Sequence, residues 1–221
     1  YYAWYDGTTW HIETVDFASG VGVYTSLALD GDGHPHIGYC DSINYDLKYA
    51  YFDGTEWHIE TVDSEGWAAW SISLVLDAEG RPHMGYQGNG LRYAHFDGTF
   101  WQIETVDIAG AGHVSLALDS SGQPHVSYFV GHPNYDLRYA YFDGSNWITE
   151  TVDSADNVGY YTSLALDTAG HPHVSYLGNG LRYAHFDGSS WQIETIEGYG
   201  AGYYTSLVLD GLDLPHVSYY N

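Results

Sequence analysis

The chain has 221 residues and carries 29 Asp plus Glu against 5 Lys plus Arg, a formal charge of −24 at neutral pH. Phosphate recognition runs on Lys and Arg, so this balance excludes unaided nucleic-acid binding and disfavours anionic membrane surfaces. A lone cysteine, Cys40, rules out an internal disulfide. No apolar run approaches the ~20 residues of a membrane-spanning helix, and no signal peptide is visible.

In chain order, the sequence opens on Tyr2-Ala-Trp-Tyr5, turns at Asp6-Gly7 and continues through Trp10-His-Ile-Glu-Thr-Val15. A different stretch follows, Ser26-Leu-Ala-Leu-Asp30, a Gly-rich turn, then Pro35-His-Ile-Gly-Tyr39. From there the two alternate. The Tyr-Ala stretch returns at Tyr49, Tyr93, Tyr139 and Tyr183, at spacings of 44 to 47 residues, and the Ser stretch returns at Ser73, Ser115, Ser163 and Ser206. Each unit holds four short runs, which after Tyr161 are Thr162–Asp167, Pro172–Tyr176, Leu181–Phe186 and Trp191–Ile196. They alternate with period two, are rich in β-branched and aromatic residues, and meet at turn residues such as Gly178-Asn-Gly180. No segment carries helical spacing.

Four-stranded units of about 45 residues, repeated, predict an all-β five-bladed β-propeller with four antiparallel strands per blade. The whole chain, 1–221, reads as a single domain with blades at about 24–63, 71–107, 113–153 and 161–197. The remaining blade combines 1–16 with 204–221, so pairing of these half-blades would close the ring and remove two open sheet edges. The alternative is an arc of a longer ring. The Ser-Leu-Ala-Leu-Asp run is expected nearest the axis. Tyr49 to Tyr139 and Tyr93 to Tyr183 are both 90 residues apart, and Tyr-Ala-Tyr-Phe alternates with Tyr-Ala-His-Phe, which a two-blade duplication explains.

Most repeated side chains read as structure. Lys48, Arg92, Arg138 and Arg182 occupy one repeat position, and counting across the Asp-Gly turn sets them opposite Glu60, Glu104 and Glu150, with Arg182 near Glu194. That predicts a cross-strand ion pair within each blade, with Glu13 left unpartnered. The histidines after proline, His36, His83, His125, His173 and His216, lie too far from the axis to share a metal, and a buried imidazole bonded to backbone is expected. Asp6, Asp53, Asp97, Asp143 and Asp187 cap turns, and Trp10, Trp57, Trp101, Trp147 and Trp191 should pack between blades. Asp30-Gly-Asp-Gly33 opens like a calcium loop but lacks its later ligands, so Ca²⁺ is the one cofactor the sequence leaves open. Cys40 reads as a small apolar core residue.

Functional expectation falls on the face bearing the variable connections. It gathers Trp67, Trp70, Tyr24, His113, Tyr160, Tyr161, Tyr203 and Tyr204 from the crossings, with Asn44-Tyr45-Asp46 and Asn134-Tyr135-Asp136 from the long second-to-third links. Aromatics beside Asn and Asp suit sugars, whose C–H faces stack while hydroxyls bond to amide and carboxylate. The five repeats and the crossing Ser64-Glu-Gly-Trp-Ala-Ala-Trp70 resemble the tachylectin family of five-bladed lectins, and the Asp-x-x-Gly-x-Pro-His pattern resembles microbial repeat propellers. The resemblance implies amino-sugar pockets between neighbouring blades. The expectation is therefore a secreted, monomeric, non-catalytic glycan-binding propeller with glycans as partners and neither catalytic nor metal residues. The alternatives are a five-bladed glycoside hydrolase using loop acids such as Asp46, Glu65, Asp136 or Asp156, and an adhesive domain of a larger surface protein.

Overall fold

The computed structural model describes residues 1–67, 69–155 and 157–221. Its first ten strands are β1 (Tyr2–Tyr5), β2 (Trp10–Glu13), β3 (Val21–Leu29), β4 (Pro35–Asp41), β5 (Asp46–Phe52), β6 (Trp57–Asp63), β7 (Trp70–Leu76), β8 (Pro82–Gly88), β9 (Gly90–Phe96) and β10 (Trp101–Asp107). The rest are β11 (Ala111–Leu118), β12 (Pro124–Val130), β13 (Asp136–Phe142), β14 (Trp147–Asp153), β15 (Tyr160–Leu166), β16 (Pro172–Gly178), β17 (Gly180–Phe186), β18 (Trp191–Glu197), β19 (Tyr203–Leu209) and β20 (Pro215–Tyr220). Among the described residues there is no helix.

β3–β6, β7–β10, β11–β14 and β15–β18 are four-stranded antiparallel sheets in chain order, each a blade, while β1–β2 and β19–β20 form separate two-stranded sheets. Turn chemistry sets the hairpins. Asp53 Oδ1 accepts the amides of Thr55 and Glu56 at 2.8 and 2.9 Å, and Asp6, Asp97, Asp143 and Asp187 do the same in their turns. In the even blades the second-to-third turn needs glycine. Gly90 and Gly180 have φ of 100° and 114°, and a Cβ there would sit 2.2 Å from the carbonyl oxygens of Asp107 and Glu197.

The core lies between blades. One cluster joins Cys40, Leu47 and Tyr49 of the first full blade to Leu74, Met84 and Tyr86 of the next, and its counterparts repeat around the molecule. The second strand of each full blade is buried from its first residue, as in β4, where no position is exposed. Cys40 belongs to this core as expected, and burial, with Asp41 and Asp46 nearby, pushes its thiol up to about 11. The Ser-Leu-Ala-Leu strands are innermost: β3 packs on β7, β7 on β11, β11 on β15 and β15 on β19. One bond marks each step. The amides of Leu74, Leu116, Leu164 and Leu207 donate to Oγ of Ser26, Ser73, Ser115 and Ser163 at 2.9, 3.0, 3.0 and 3.0 Å.

One expectation is revised. The basic residues do not pair with glutamate inside their own blade, because each hairpin closes on Phe opposite Trp and the ladder runs unbroken from there, placing Arg92 opposite Thr105 and Arg138 opposite Thr151, with a bulge only beyond them. They reach back to the preceding blade instead. Arg92 meets Asp63 at 2.9 Å, Arg138 meets Asp107 at 3.0 Å, Arg182 meets Asp153 at 2.5 Å and Lys48 meets Asp16 at 3.6 Å. Among the described residues the half-blades β1–β2 and β19–β20 share no ladder. Each half-blade is held by its own neighbour, β19 by β15, and the β1–β2 hairpin by Trp57, whose Nε1–H donates to Glu13 at 2.9 Å.

Gly90→Ala is expected to cost more than ~1 kcal/mol in urea unfolding, because the methyl meets backbone at a positive φ. Gly98→Ala, with φ 98° but open space around the new Cβ, should cost less. Equal costs would show that the contact with the Asp107 carbonyl is not what demands glycine.

Candidate functional site

The same cleft recurs at four junctions between consecutive blades, on the face carrying the short turns. Its walls start from two turns and two strands. The earlier blade supplies a buried tyrosine from its third strand and a glutamate from its fourth. The later blade supplies Pro from its inner turn and Phe and Trp flanking its outer turn. The cleft of about 270 Å³ lined by Tyr49, Tyr51, Glu60, Pro82, Phe96 and Trp101 is one copy. Others, of about 160, 190 and 240 Å³, centre on Trp147, Trp191 and Trp57.

Every cleft holds the same hydrogen bond and the same ring geometry. Indole Nε1–H donates to Oε2 of the earlier blade's glutamate, Trp101 to Glu60 at 2.8 Å, Trp147 to Glu104 at 2.9 Å and Trp191 to Glu150 at 3.1 Å. Trp57 completes the set through Glu13, so that residue is not unpartnered as its sequence position suggested. A tyrosine meets each indole edge-on, Tyr49 on Trp101 at 5.2 Å, Tyr93 on Trp147 at 5.2 Å and Tyr139 on Trp191 at 5.3 Å.

Behind the third-strand tyrosine of each full blade lies the histidine that follows proline. His36, His83, His125 and His173 bond through Nδ1 to the hydroxyls of Tyr49, Tyr93, Tyr139 and Tyr183. The partner is thus a side chain rather than the expected backbone. The opposite nitrogen, Nε2, faces Asp30, Asp77, Asp119 or Asp167 at 3.4 to 3.8 Å. An Nε2–H directed at the carboxylate leaves Nδ1 to accept the tyrosyl proton. Burial lowers all four histidines against the opposing pull of these aspartates, so they stay neutral at physiological pH. Burial likewise raises the four tyrosines, Tyr183 to about 12, which keeps them protonated.

The clefts differ at two positions around this fixed frame. Trp4, Tyr51, His95 and Tyr141 occupy one; His34, Arg81, Gln123 and His171 occupy the other. Nδ1 of His95 and of His185 is buried without a hydrogen-bond partner.

The loop-bearing face distributes the residues expected there among separate groups. Tyr24 lies against Trp70 with ring centres 5.6 Å apart, and Tyr45 stacks on Trp67 at 4.9 Å. His113, Tyr161 and Tyr204 run in series at 4.5 and 4.4 Å, with Tyr160 and Tyr203 beside them at 5.6 and 5.9 Å. Asn44 spends its amide on Asp41 at 2.8 Å. Asp46 begins β5 opposite Asp41, Tyr135 lies 6.3 Å from Phe129, Asp136 is buried at the start of β13, and Asn134 is exposed. Asp156 lies outside the described residues.

The sequence pointed away from the clefts because Trp and Glu, three residues apart in every fourth strand, read as packing and as ion pairing. The clue was the repeat of both together. As for Ca²⁺, ligand atoms of Asp30, Asp32 and His34 approach within 4.8 Å of one another. However, Asp30 Oδ1 already accepts the turn amides of Asp32 and His34 at 3.0 and 2.7 Å.

Sheets stacked side by side, inner strand against inner strand, define the architecture. The chain is a β-propeller. No protein-family model matches it, and no curated protein does. Among solved structures, a Dyadobacter fermentans protein of unknown function is similar over 97% of this chain and 77% of its own, at 13% identity and a TM-score of 0.66. A variant of the Aleuria aurantia lectin, in complex with a fucosyl-α1,6-GlcNAc, matches over 94% of this chain and 73% of its own, at 15% identity and a TM-score of 0.64. An α-L-arabinofuranosidase from Lactobacillus brevis matches over 89% and 82%, at 11% identity and 0.53. At such identities the likeness is one of fold.

The neutral histidines carry a signed pH dependence. A histidine held below its unfolded value favours folding above about pH 6.5, and that contribution is lost as pH falls from there through the folded value. The His125 ring, followed by NMR, should protonate only below pH 6.5, with the urea midpoint declining over the same range. Titration at or above 6.5 would show that burial does not govern it.

Proposed function

We propose that the protein is a non-catalytic, multivalent carbohydrate-binding propeller whose sugars sit in the clefts between blades. The observation that carries this is the fourfold recurrence of one Trp–Glu cleft with an apolar wall of Trp, Phe and Pro. Rings supply a surface for sugar C–H groups, and the glutamate, with one oxygen held by the indole, supplies an acceptor for hydroxyls. Clefts of 160 to 270 Å³ fall below the about 300–1,000 Å³ of drug-sized pockets and suit a single sugar ring. Lectins bound to fucosides among the structures of like fold support the ligand class. Sites repeated on one rigid body act through effective concentration, so weak clefts sum to avid binding on a clustered glycan. The reading includes a fifth blade closing the ring, secretion, and action as a monomer. The loop-face aromatics, Trp67 and Trp70 with the Tyr161 series, are a second contact surface for longer glycans.

Glycosidases of like fold raise the hydrolase alternative. A general acid needs a carboxyl held above its ordinary value. Here aspartate carboxyls with displaced values move down. Asp6 sits at about 2 through hydrogen bonds from His11 and the turn amides, and turn donors similarly lower Asp97 and Asp187. The inner-turn aspartates Asp77 and Asp167 are lowered despite burial, which alone would raise them. These turn carboxylates are held ionised by their donors and serve the fold rather than acid catalysis.

A glycan array with labelled protein, repeated after chelation, tests the proposal. Binding to a related set of sugars is expected to persist without metal. Trp101→Ala should weaken monovalent binding at its cleft about 2- to 10-fold, the loss of one aromatic contact of ~0.5–1.5 kcal/mol. A paired Trp67→Ala and Trp70→Ala change should reduce capture of extended glycans only. A blank array, or sugar cleavage abolished by replacing Asp46, Glu65 or Asp136, would overturn the binding reading.

A further inference from the structure

Each innermost strand begins, on the loop-bearing face, with a residue in the left-handed region two places before the repeat serine. Tyr24, Ser71, His113, Tyr161 and Tyr204 have φ of 53°, 55°, 50°, 53° and 52°. That conformation is strained for any residue but glycine, so its recurrence marks these side chains as held in place. Where the residue is aromatic it packs with a ring from the next innermost strand. Tyr24 lies 5.6 Å from Trp70, His113 5.6 Å from Tyr160 and Tyr161 5.9 Å from Tyr203. Phe129 of the second strand stacks on Tyr160 at 4.1 Å, and its repeat position holds Cys40 in the first full blade and Leu177 in the fourth.

One junction departs from this pattern at all three positions together. Between the second and third full blades the corresponding residues are Ser71, Gly112 and Gln87. Two rings give way to a hydroxymethyl and a hydrogen, and an apolar side chain gives way to an amide. The backbone is not altered, since Ser71 keeps the shared φ while its Oγ accepts the Val114 amide at 2.6 Å. A Cβ on Gly112 would meet nothing nearer than Gln87 Oε1 at 3.6 Å and Phe129 at 3.8 Å. The neighbouring rings pack away from the junction, Trp70 on Tyr24, and His113 on Tyr161 at 4.5 Å. What remains is a notch that solvent reaches at Ser71, Gly112 and Gln87.

We propose that this notch binds one planar aromatic ring carrying a cationic amine, an arylalkylamine of the tyramine type. The repeat supplies the shape, because the next junction seats the phenol ring of Tyr160 in the corresponding space. Rings on either side offer faces and edges to an incoming one, and filling the notch gains the dispersion contacts that the small side chains forgo. Polarity comes from Gln87, whose amide both donates and accepts, and from the Ser71 hydroxyl, which is left to donate once its oxygen has taken the Val114 amide. A phenolic hydroxyl therefore finds partners. Charge comes from the whole molecule, at −24 with each of its five basic side chains engaged by a carboxylate. A cationic ligand is drawn to such a surface and an anionic one is repelled. Burial holds His113 below its ordinary value, so that wall stays neutral and does not oppose the amine. The notch is single where the Trp–Glu clefts are repeated, lies on the opposite face, and does not depend on sugar binding.

The test is an NMR titration of the isotope-labelled wild-type protein with tyramine, p-cresol and p-hydroxyphenylacetate, which share a ring and differ in charge. Tyramine should shift the Gln87 side-chain amide and the Trp70 indole N–H, with affinity falling in the order tyramine, p-cresol, p-hydroxyphenylacetate. Raising salt from about 0.01 M to about 0.15 M should compress that order, as screening shortens the reach of the surface charge. Gly112→Tyr installs the ring of the next junction where the backbone is not left-handed, and should weaken tyramine at least ~10-fold with the urea midpoint near that of the wild type. Gln87→Leu, the residue of the fourth blade, should weaken it about 2- to 10-fold through lost hydrogen bonds. Trp101→Ala, on the other face, should leave it unchanged. The proposal is overturned if no probe shifts Gln87 and Trp70, or if p-hydroxyphenylacetate binds as tightly as tyramine at low salt. Undiminished tyramine binding in Gln87→Leu, or in folded Gly112→Tyr, would overturn it equally.

Discussion

A four-stranded blade cannot bury both of its faces alone, so everything in this molecule depends on the joint between one blade and the next. At each joint a tyrosine with almost no exposed surface, Tyr86, Tyr128 or Tyr176, donates its hydroxyl to an aspartate ending the preceding blade, at 2.6 to 2.7 Å. Arg92, Arg138 or Arg182 reaches the same carboxylate. A carboxylate removed from water is tolerable only where donors surround it. Here a hydroxyl, a guanidinium and a turn amide converge on one group, and they fix the spacing between blades.

That spacing is what makes a cleft. The indole of one blade can donate to the glutamate of its neighbour only if the two sheets stand at a set distance, so the polar node near the loop-bearing face governs geometry on the other. The Asp–His–Tyr line is a second tie within each blade, running from the inner turn through the second strand to the third. It positions the tyrosine against the indole. Neither the histidine nor the tyrosine is in a state suited to proton transfer, and their chemistry is that of struts.

The architecture was legible because repetition averages out local ambiguity. Five copies of Ser-Leu-Ala-Leu-Asp and of Tyr-Ala identify strands that a single copy would leave uncertain, and Asp-Gly turns punctuate them. The contacts that failed to be legible are those that cross between units. Counting residues around the Asp-Gly hairpin gives Tyr93 or Arg92 as the partner of Glu104 depending on which residues close the turn, and with Phe96 opposite Trp101 the structure has Tyr93. A one-residue slip reverses the face on which a side chain lies. Arg92 therefore turns from its own blade to Asp63, and Glu104 is freed for Trp147. For the same reason the clefts were invisible, since each is made from residues about 40 apart in sequence, and the aromatics of the variable loops drew attention instead.

The placement of the few basic side chains has a consequence for how the molecule meets its surroundings. Four of the five, Lys48, Arg92, Arg138 and Arg182, are sequestered against aspartates at joints, and Arg81 is folded onto Asp77 and Glu79. The exterior is thus left to carboxylates almost without relief. Such a surface repels its own copies and sulfated or sialylated coats alike, over a Debye length of about 30 Å in 0.01 M salt and about 8 Å at 0.15 M. In dilute media the particle stays dispersed and passes acidic polymers by. In saline that repulsion is confined to contact range, and short-range packing and hydrogen bonding, rather than charge, govern what approaches it.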